Sequence, residues 1–184
     1  MRHLLKPHPD APCPAVTSIE LEIERGPGRA LALRYILTGR IAALAIPAPA
    51  PSRRADELWR HTCLEAFVRP EDGEAYYELN LSPSTEWAAY RLSGYREGLT
   101  PVAAIAPPRI AVESTGDRLI LTAAIDLTAV PDLLLDAPWR GGLSAVIEAA
   151  DGSKAYWALA HAPGKPDFHH PDCFALRLEA RDGA

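Results

Sequence analysis

Glu65, Glu78 and Asn80 are the residues whose types and spacing suggest a shared chemical site in this chain. They fall in two runs, Thr62 to Arg69 and Glu74 to Ser82, separated by Pro70-Glu71-Asp72-Gly73. Both runs alternate apolar and polar side chains at the two-residue period of a β-strand. Proline at the first loop position and glycine at the last predict a type I turn closing through a left-handed residue, with Arg69 opposite Glu74. In that register Leu64 faces Leu79, Ala66 faces Tyr77 and Thr62 faces Leu81, which makes one apolar face. On the other face Glu65 meets Glu78, Cys63 meets Asn80 and Phe67 meets Tyr76. A one-residue slip would set apolar against polar side chains, whereas a two-residue slip preserves both faces.

Carboxylates directly opposite one another, with Cβ atoms ~5 Å apart, repel unless a cation, a shared proton or a hydrogen-bonding ligand intervenes. On the solvated outside of a sheet, water would screen the pair. On a concave face the pair would hold a polar ligand. A carboxyl separation of ~5 Å would also suit a retaining glycosidase. A pair on a flat sheet, however, lacks the difference in environment that drives the two pKa values apart, so no catalytic residue is assigned and the chain is read as a non-enzyme. Cys63 with His61 lacks a third orienting group and reads as a packing residue.

The elements that must position these residues are short strands. Eighteen prolines and twelve glycines divide the 184 residues into alternating segments. Strands are expected near Ser18 to Glu24, Ala30 to Thr38, Thr62 to Arg69, Ala75 to Ser82, Trp87 to Leu92, Ala111 to Ser114, Arg118 to Asp126, Leu143 to Ala150, Tyr156 to Leu159 and Cys173 to Glu179. Helical character is confined to single turns within Leu127 to Leu135 and Ser52 to Leu58, the first limited by Pro131. This pattern predicts an all-β fold, an antiparallel β-sandwich of jelly-roll type with about ten strands and minimal helix, formed by one domain over residues 1–184. The proline-rich stretches Pro47 to Pro51 and Pro101 to Pro108 are expected at sheet edges, since proline lacks the ladder donor. The acidic tail Glu179 to Ala184 is expected to fray.

Hydrophobic residues make up 48% of the chain, enough for a sizeable core, and the net charge is −5. The basic residues are scattered rather than striped, which argues against nucleic acid as a partner. No stretch approaches a membrane span, and the charged, proline-bearing N-terminus lacks the apolar run of a signal peptide. Together with an odd count of cysteines, 3, in no CxxC spacing, this predicts a cytoplasmic chain with free thiols.

The run Leu58-Trp59-Arg60-His61-Thr62-Cys63-Leu64-Glu65-Ala66-Phe67-Val68 and the run Tyr76-Tyr77-Glu78-Leu79-Asn80-Leu81-Ser82-Pro83 together resemble the DOMON-like superfamily that includes family 9 carbohydrate-binding modules, its murB-like branch in particular. Trp87 to Arg96, Tyr156 to His161 and Pro166 to Phe174 extend the resemblance from Leu58 to the C-terminus. It implies a sandwich whose concave face binds sugar through tryptophans and polar side chains, with structural calcium in family 9 modules and haem b in other relatives. Carried onto this chain, it suggests Glu65, Glu78 and Asn80 as sheet-face contacts and Trp59 and Trp157 as stacking platforms. Arg91 and His170, within the matching segments, complete the candidate ligand-binding set, with Lys165 in the adjoining loop. Thr62 stands where many relatives carry an acidic residue, which counts against calcium. The only methionine is Met1, which excludes Met/His haem ligation and leaves bis-His ligation from His61, His161, His169 or His170 as an alternative.

No metal site is assigned. His169, His170, Asp172 and Cys173 have the right ligand chemistry, but adjacent histidines on a strand point to opposite faces, so they are read as a polar loop. Trp87 and Trp139 are expected in the core. The expected partner is a carbohydrate-like small molecule; the competing reading is a ligand-free sandwich that exposes Trp59 to a protein partner or a second copy.

Overall fold

A computed structural model describes residues 2–180. It is all-β. The strands are β1 (Arg2–Pro7), β2 (Val16–Arg25), β3 (Ala30–Gly39), β4 (Cys63–Pro70), β5 (Tyr76–Leu81), β6 (Trp87–Leu92), β7 (Thr100–Pro101), β8 (Arg109–Ser114), β9 (Arg118–Asp126), β10 (Trp139–Glu148), β11 (Lys154–Ala158) and β12 (Leu176–Leu178). Helix is limited to single 3-10 turns at Ile41–Ala43, Leu58–Arg60 and Pro171–Cys173. Every predicted strand is present, and β1 and β7 are additional. The turns expected within 127–135 and 52–58 are not helical; the second is replaced by the turn at Leu58–Arg60. The tail expected to fray lies, past residue 180, outside the described residues, as does Met1.

The strands form one curled antiparallel sheet in the order β7-β6-β5-β4-β10-β11-β1-β2-β3-β9-β8, with β12 paired to β10. β1 makes the corner. Its first residues pair with β2 and its last two, Lys6 and Pro7, pair with β11, so one short strand joins the two layers of a sandwich. Among the described residues no helix is long and apolar enough to cross a membrane.

Alternation fills the space between the layers. Ile19, Leu21 and Ile23 of β2, Leu31, Leu33, Tyr35 and Leu37 of β3, and Leu119, Leu121, Ala123 and Ile125 of β9 face Leu64, Ala66 and Val68 of β4 and Tyr77, Leu79 and Leu81 of β5. Trp87 and Trp139 pack there as expected. The Tyr35 hydroxyl crosses the core to donate to the Glu65 carbonyl oxygen at 2.7 Å, so this buried phenol keeps a partner.

The hairpin β4–β5 keeps the predicted faces but slips by two residues: Leu64 pairs with Leu81, Glu65 with Asn80, Ala66 with Leu79, Phe67 with Glu78 and Val68 with Tyr77. The tight turn does not form. Gly73 is not left-handed. β4 instead runs on to Pro70 because it is paired to β10 as far as Trp139. The wider loop closes on the Arg69 guanidinium, whose Nη1 donates to the carbonyls of Pro70, Glu71 and Gly73. Pairing to a third strand and a side chain anchored in the loop thus override the local turn signal.

The outward face of the β4–β5–β6 layer is covered as well. Phe67, Tyr76, Ala88, Tyr90, Leu92, Val146 and Ala158 form a second apolar cluster beneath Phe168 and Phe174. These two come from the loop that follows β11. Gly142 lets that loop settle, since a Cβ there would lie 3.0 Å from the Cys173 carbonyl oxygen.

Candidate functional site

Residues at alternate positions of neighbouring strands place Ala158, Ser144, Glu65, Asn80 and Ala88 in one row on the covered face. The adjacent row is Phe67, Glu78 and Tyr90. Glu65 and Glu78 are therefore diagonal neighbours rather than direct partners. Glu65, Glu78 and Asn80 are 3%, 4% and 0% exposed, so the face is not the open solvated surface of a sheet.

Over this face lies a groove of about 380 Å³ whose floor includes Glu65 and Glu78. Its walls are Leu92, Val146, Tyr156, Pro166 and Phe168, and Trp59, Arg96, Leu99 and His169 complete the lining. Trp59, 39% exposed, is carried by the 3-10 turn after β3 and stands at the rim. Asp167 sits between the lining residues Pro166 and Phe168 and ties their loop to the segment after β6. It accepts hydrogen bonds from the Tyr95 hydroxyl and from Arg96 Nη2, the latter at 2.8 Å.

One strained backbone position lines this groove and another lies two residues before Trp59. Among the described residues the non-glycine left-handed positions are Glu57 (φ 60°), Thr85 (φ 76°) and Arg96 (φ 57°). Glu57 starts the turn that presents Trp59, and Arg96 lines the groove itself. Conformations of this kind cost on the order of 1–3 kcal/mol each and persist where the surroundings hold them in place, commonly at ligand sites.

The carboxyl groups are sparsely bonded. Asn80 Nδ2 donates to Glu78 Oε1 at 2.8 Å and Ser144 Oγ donates to Glu65 Oε2 at 3.2 Å. Glu78 Oε2 is buried without a partner. Burial, reinforced by the neighbouring Glu78 charge, pushes the Glu65 carboxyl up to about 8. Burial also raises Glu78, against the amide of Asn80 and the charge of Arg96. His169 moves the other way, lowered to about 4 by burial and by Arg96. The Tyr76 hydroxyl accepts from the Arg96 backbone N–H at 3.3 Å and shares a hydrogen bond with His169 Nδ1 at 2.8 Å. At pH 7 His169 is therefore a neutral imidazole in the groove lining, with one ring N–H to donate.

The other predicted site residues lie elsewhere. Trp157 is in the core between the layers, 4% exposed, because its parity on β11 places it with Ala155 on the inward face. Arg91 shares the inward parity of β6 with Trp87 and Ala89, and at the edge of the sandwich its Nε meets Asp132 at 3.1 Å. His170 turns away from the groove to cap the 3-10 turn, its Nδ1 accepting from the Asp172 N–H, and its neighbour His169 lines the groove instead. Arg96, Tyr156 and Phe168, which lie within the motifs quoted above, also line the groove.

Among the described residues no three His, Cys, Asp or Glu side chains gather in one place. His61 is bound to Glu148, His161 to the Lys6 carbonyl and His169 to Tyr76, and only His169 of the four candidates lines the groove. A larger hollow of about 630 Å³ lies on the outer face of the opposite layer, over Ala32, Ala111 and Ala124. Arg2 pairs there with Glu20 and Glu22, and Arg34 with Glu22, and none of its lining residues carries a buried, unpartnered polar atom like Glu78 Oε2.

No family model matches the chain, and no curated protein matches its sequence. Among solved structures it superposes with a TM-score of 0.65 and 15% identity on a "putative carbohydrate-binding protein" from Bacteroides uniformis, covering 94% of this chain and 83% of that one. A family 9 carbohydrate binding module from Caldicellulosiruptor kristjanssonii, solved with cellotriose, aligns with a TM-score of 0.53 and 10% identity over 89% of this chain and 74% of the module. At such identities the likeness is one of architecture: this chain has the β-sandwich fold of these two proteins.

Proposed function

We propose that this chain is a non-catalytic binding domain that takes a carbohydrate or similar small polar ligand in the groove over Glu65 and Glu78. The observation that carries this reading is the unpartnered Glu78 Oε2, a buried acceptor in the groove floor. A buried polar atom without a partner costs about 1–3 kcal/mol, which a ligand hydroxyl or N–H would recover. Trp59, Tyr156 and Phe168 supply flat apolar area for the C–H face of a sugar ring, while Glu65, Glu78 and the His169 N–H supply hydrogen bonds. The solved relative holding cellotriose on the same fold supports the ligand class.

Catalysis of glycosidase type is disfavoured by the electrostatics. A retaining pair needs one ionised and one protonated carboxyl set by contrasting environments, and here burial raises both. The test is a titration of the purified chain with mono- and oligosaccharides by calorimetry. Saturable binding that Glu78→Ala abolishes, with an unchanged circular dichroism spectrum, is expected. A wild-type chain that binds no sugar, or one that hydrolyses it, refutes the reading.

A further inference from the structure

The groove contains two acids and no free cation to balance them. Glu65 and Glu78 are buried side by side, yet among the described residues neither forms an ion pair; their contacts are the neutral donors Ser144 and Asn80. Arg96 is the cation that shares the groove, and its guanidinium is bound to Asp167 at 2.8 Å. His169 stays neutral beside it. A buried carboxylate is costly unless a cation or a proton compensates it. The walls suit a cation as well, since Trp59, Tyr156 and Phe168 line the same groove and aromatic faces attract positive charge.

We propose that the ligand of the Glu65 and Glu78 groove carries a protonated primary amine, and that amino sugars are the class it selects. This rests on the reading of the groove as a carbohydrate site and adds the charge to it. Glu78 Oε2, with no partner in the chain, accepts one ammonium N–H, and Glu65 lies diagonally across the strands to accept a second. Burial raises both carboxyls, and a ligand ammonium would offset that by favouring the ionised form of the Glu78 carboxyl it meets.

The experiment is calorimetric titration of the full chain at pH 7 with three β-1,4-linked trimers: chitosan trimer, its fully N-acetylated counterpart, and cellotriose. The amine-bearing trimer is expected to bind at least tenfold more tightly than either neutral one, and Glu78→Gln is expected to bring that ratio toward one. Neutral trimers binding as tightly as the amine overturn the proposal and leave the carbohydrate site standing. Absence of binding by any of the trimers overturns both. The chain carries a net charge of −5, so an amine preference that survives Glu78→Gln would reflect general attraction to an acidic protein and would also overturn the proposal. A thermal melt confirms that the variant is folded; should it not be, Glu78→Ser provides the same ratio.

Discussion

Asn80 lies directly across the β4–β5 ladder from Glu65, while its amide is bonded to Glu78, two residues back on its own strand, at 2.8 Å. Asn80 thereby occupies one oxygen of Glu78 and leaves the other buried without a partner, and the Glu65 carboxyl keeps only Ser144. The site is under-satisfied on purpose-built strands, which is the condition under which a ligand gains most from binding.

Glu65 makes stability depend on pH in an unusual direction. The unfolded chain releases this proton near 4.5 and the folded chain near 8, so between those values the folded state binds more protons. Stability is therefore greatest at the acid end of that window and falls as pH rises through it, by at most about 1.4 kcal/mol per pH unit for this one group. Melting temperatures of wild type and Glu65→Gln across pH 5 to 8 should diverge accordingly. Parallel curves would show that this carboxyl is not held protonated.

His169 acts from the other side. Its folded value near 4 lies below the ordinary 6.5, so acidification from about 6.5 to 4 protonates the unfolded state first and removes stability. Proton NMR of the imidazole should show no titration above about pH 5, and His169→Gln should flatten the acid limb of the stability curve. An ordinary titration near 6.5 would place His169 in solvent.

Two tryptophans with similar sequence surroundings should behave in opposite ways. Trp157→Ala removes a side chain from the core between the layers and should destabilise the fold by about 3–5 kcal/mol. Trp59→Ala, at the exposed rim, should change stability by no more than about 0.5 kcal/mol while weakening sugar binding by roughly tenfold, about 1.4 kcal/mol. Denaturant titration and calorimetry separate the two effects.

The Asp167 contacts should be visible in exchange. Asp167→Ala removes the acceptor of both Tyr95 and Arg96. The Arg96 amide, bonded to the Tyr76 hydroxyl at 3.3 Å, should then exchange faster with solvent while amides in β4 and β10 keep their protection. Equal acceleration in the strands would mean that Asp167 supports the whole fold.

The sequence by itself determined the strand segments, the β-sandwich and which face of the β4–β5 hairpin is polar, because the two-residue period of a strand and the burial of one face are local properties written in the order of residues. Glu65, Glu78, Asn80 and Trp59 were legible for that reason, and all but Asn80 line the groove. The tertiary structure decided the rest. Pairing of β4 with β10 stretched the hairpin past its turn signal and moved Asn80, rather than Glu78, opposite Glu65. Parity on β11 and β6, once the layers were stacked, carried Trp157 and Arg91 to the inward side. Arg96, His169 and Phe168 reached the acids only because loops distant in sequence fold over the sheet, and no local period encodes where a loop lands. Burial beneath that cover is what turns an ordinary pair of glutamates into a site that lacks a partner.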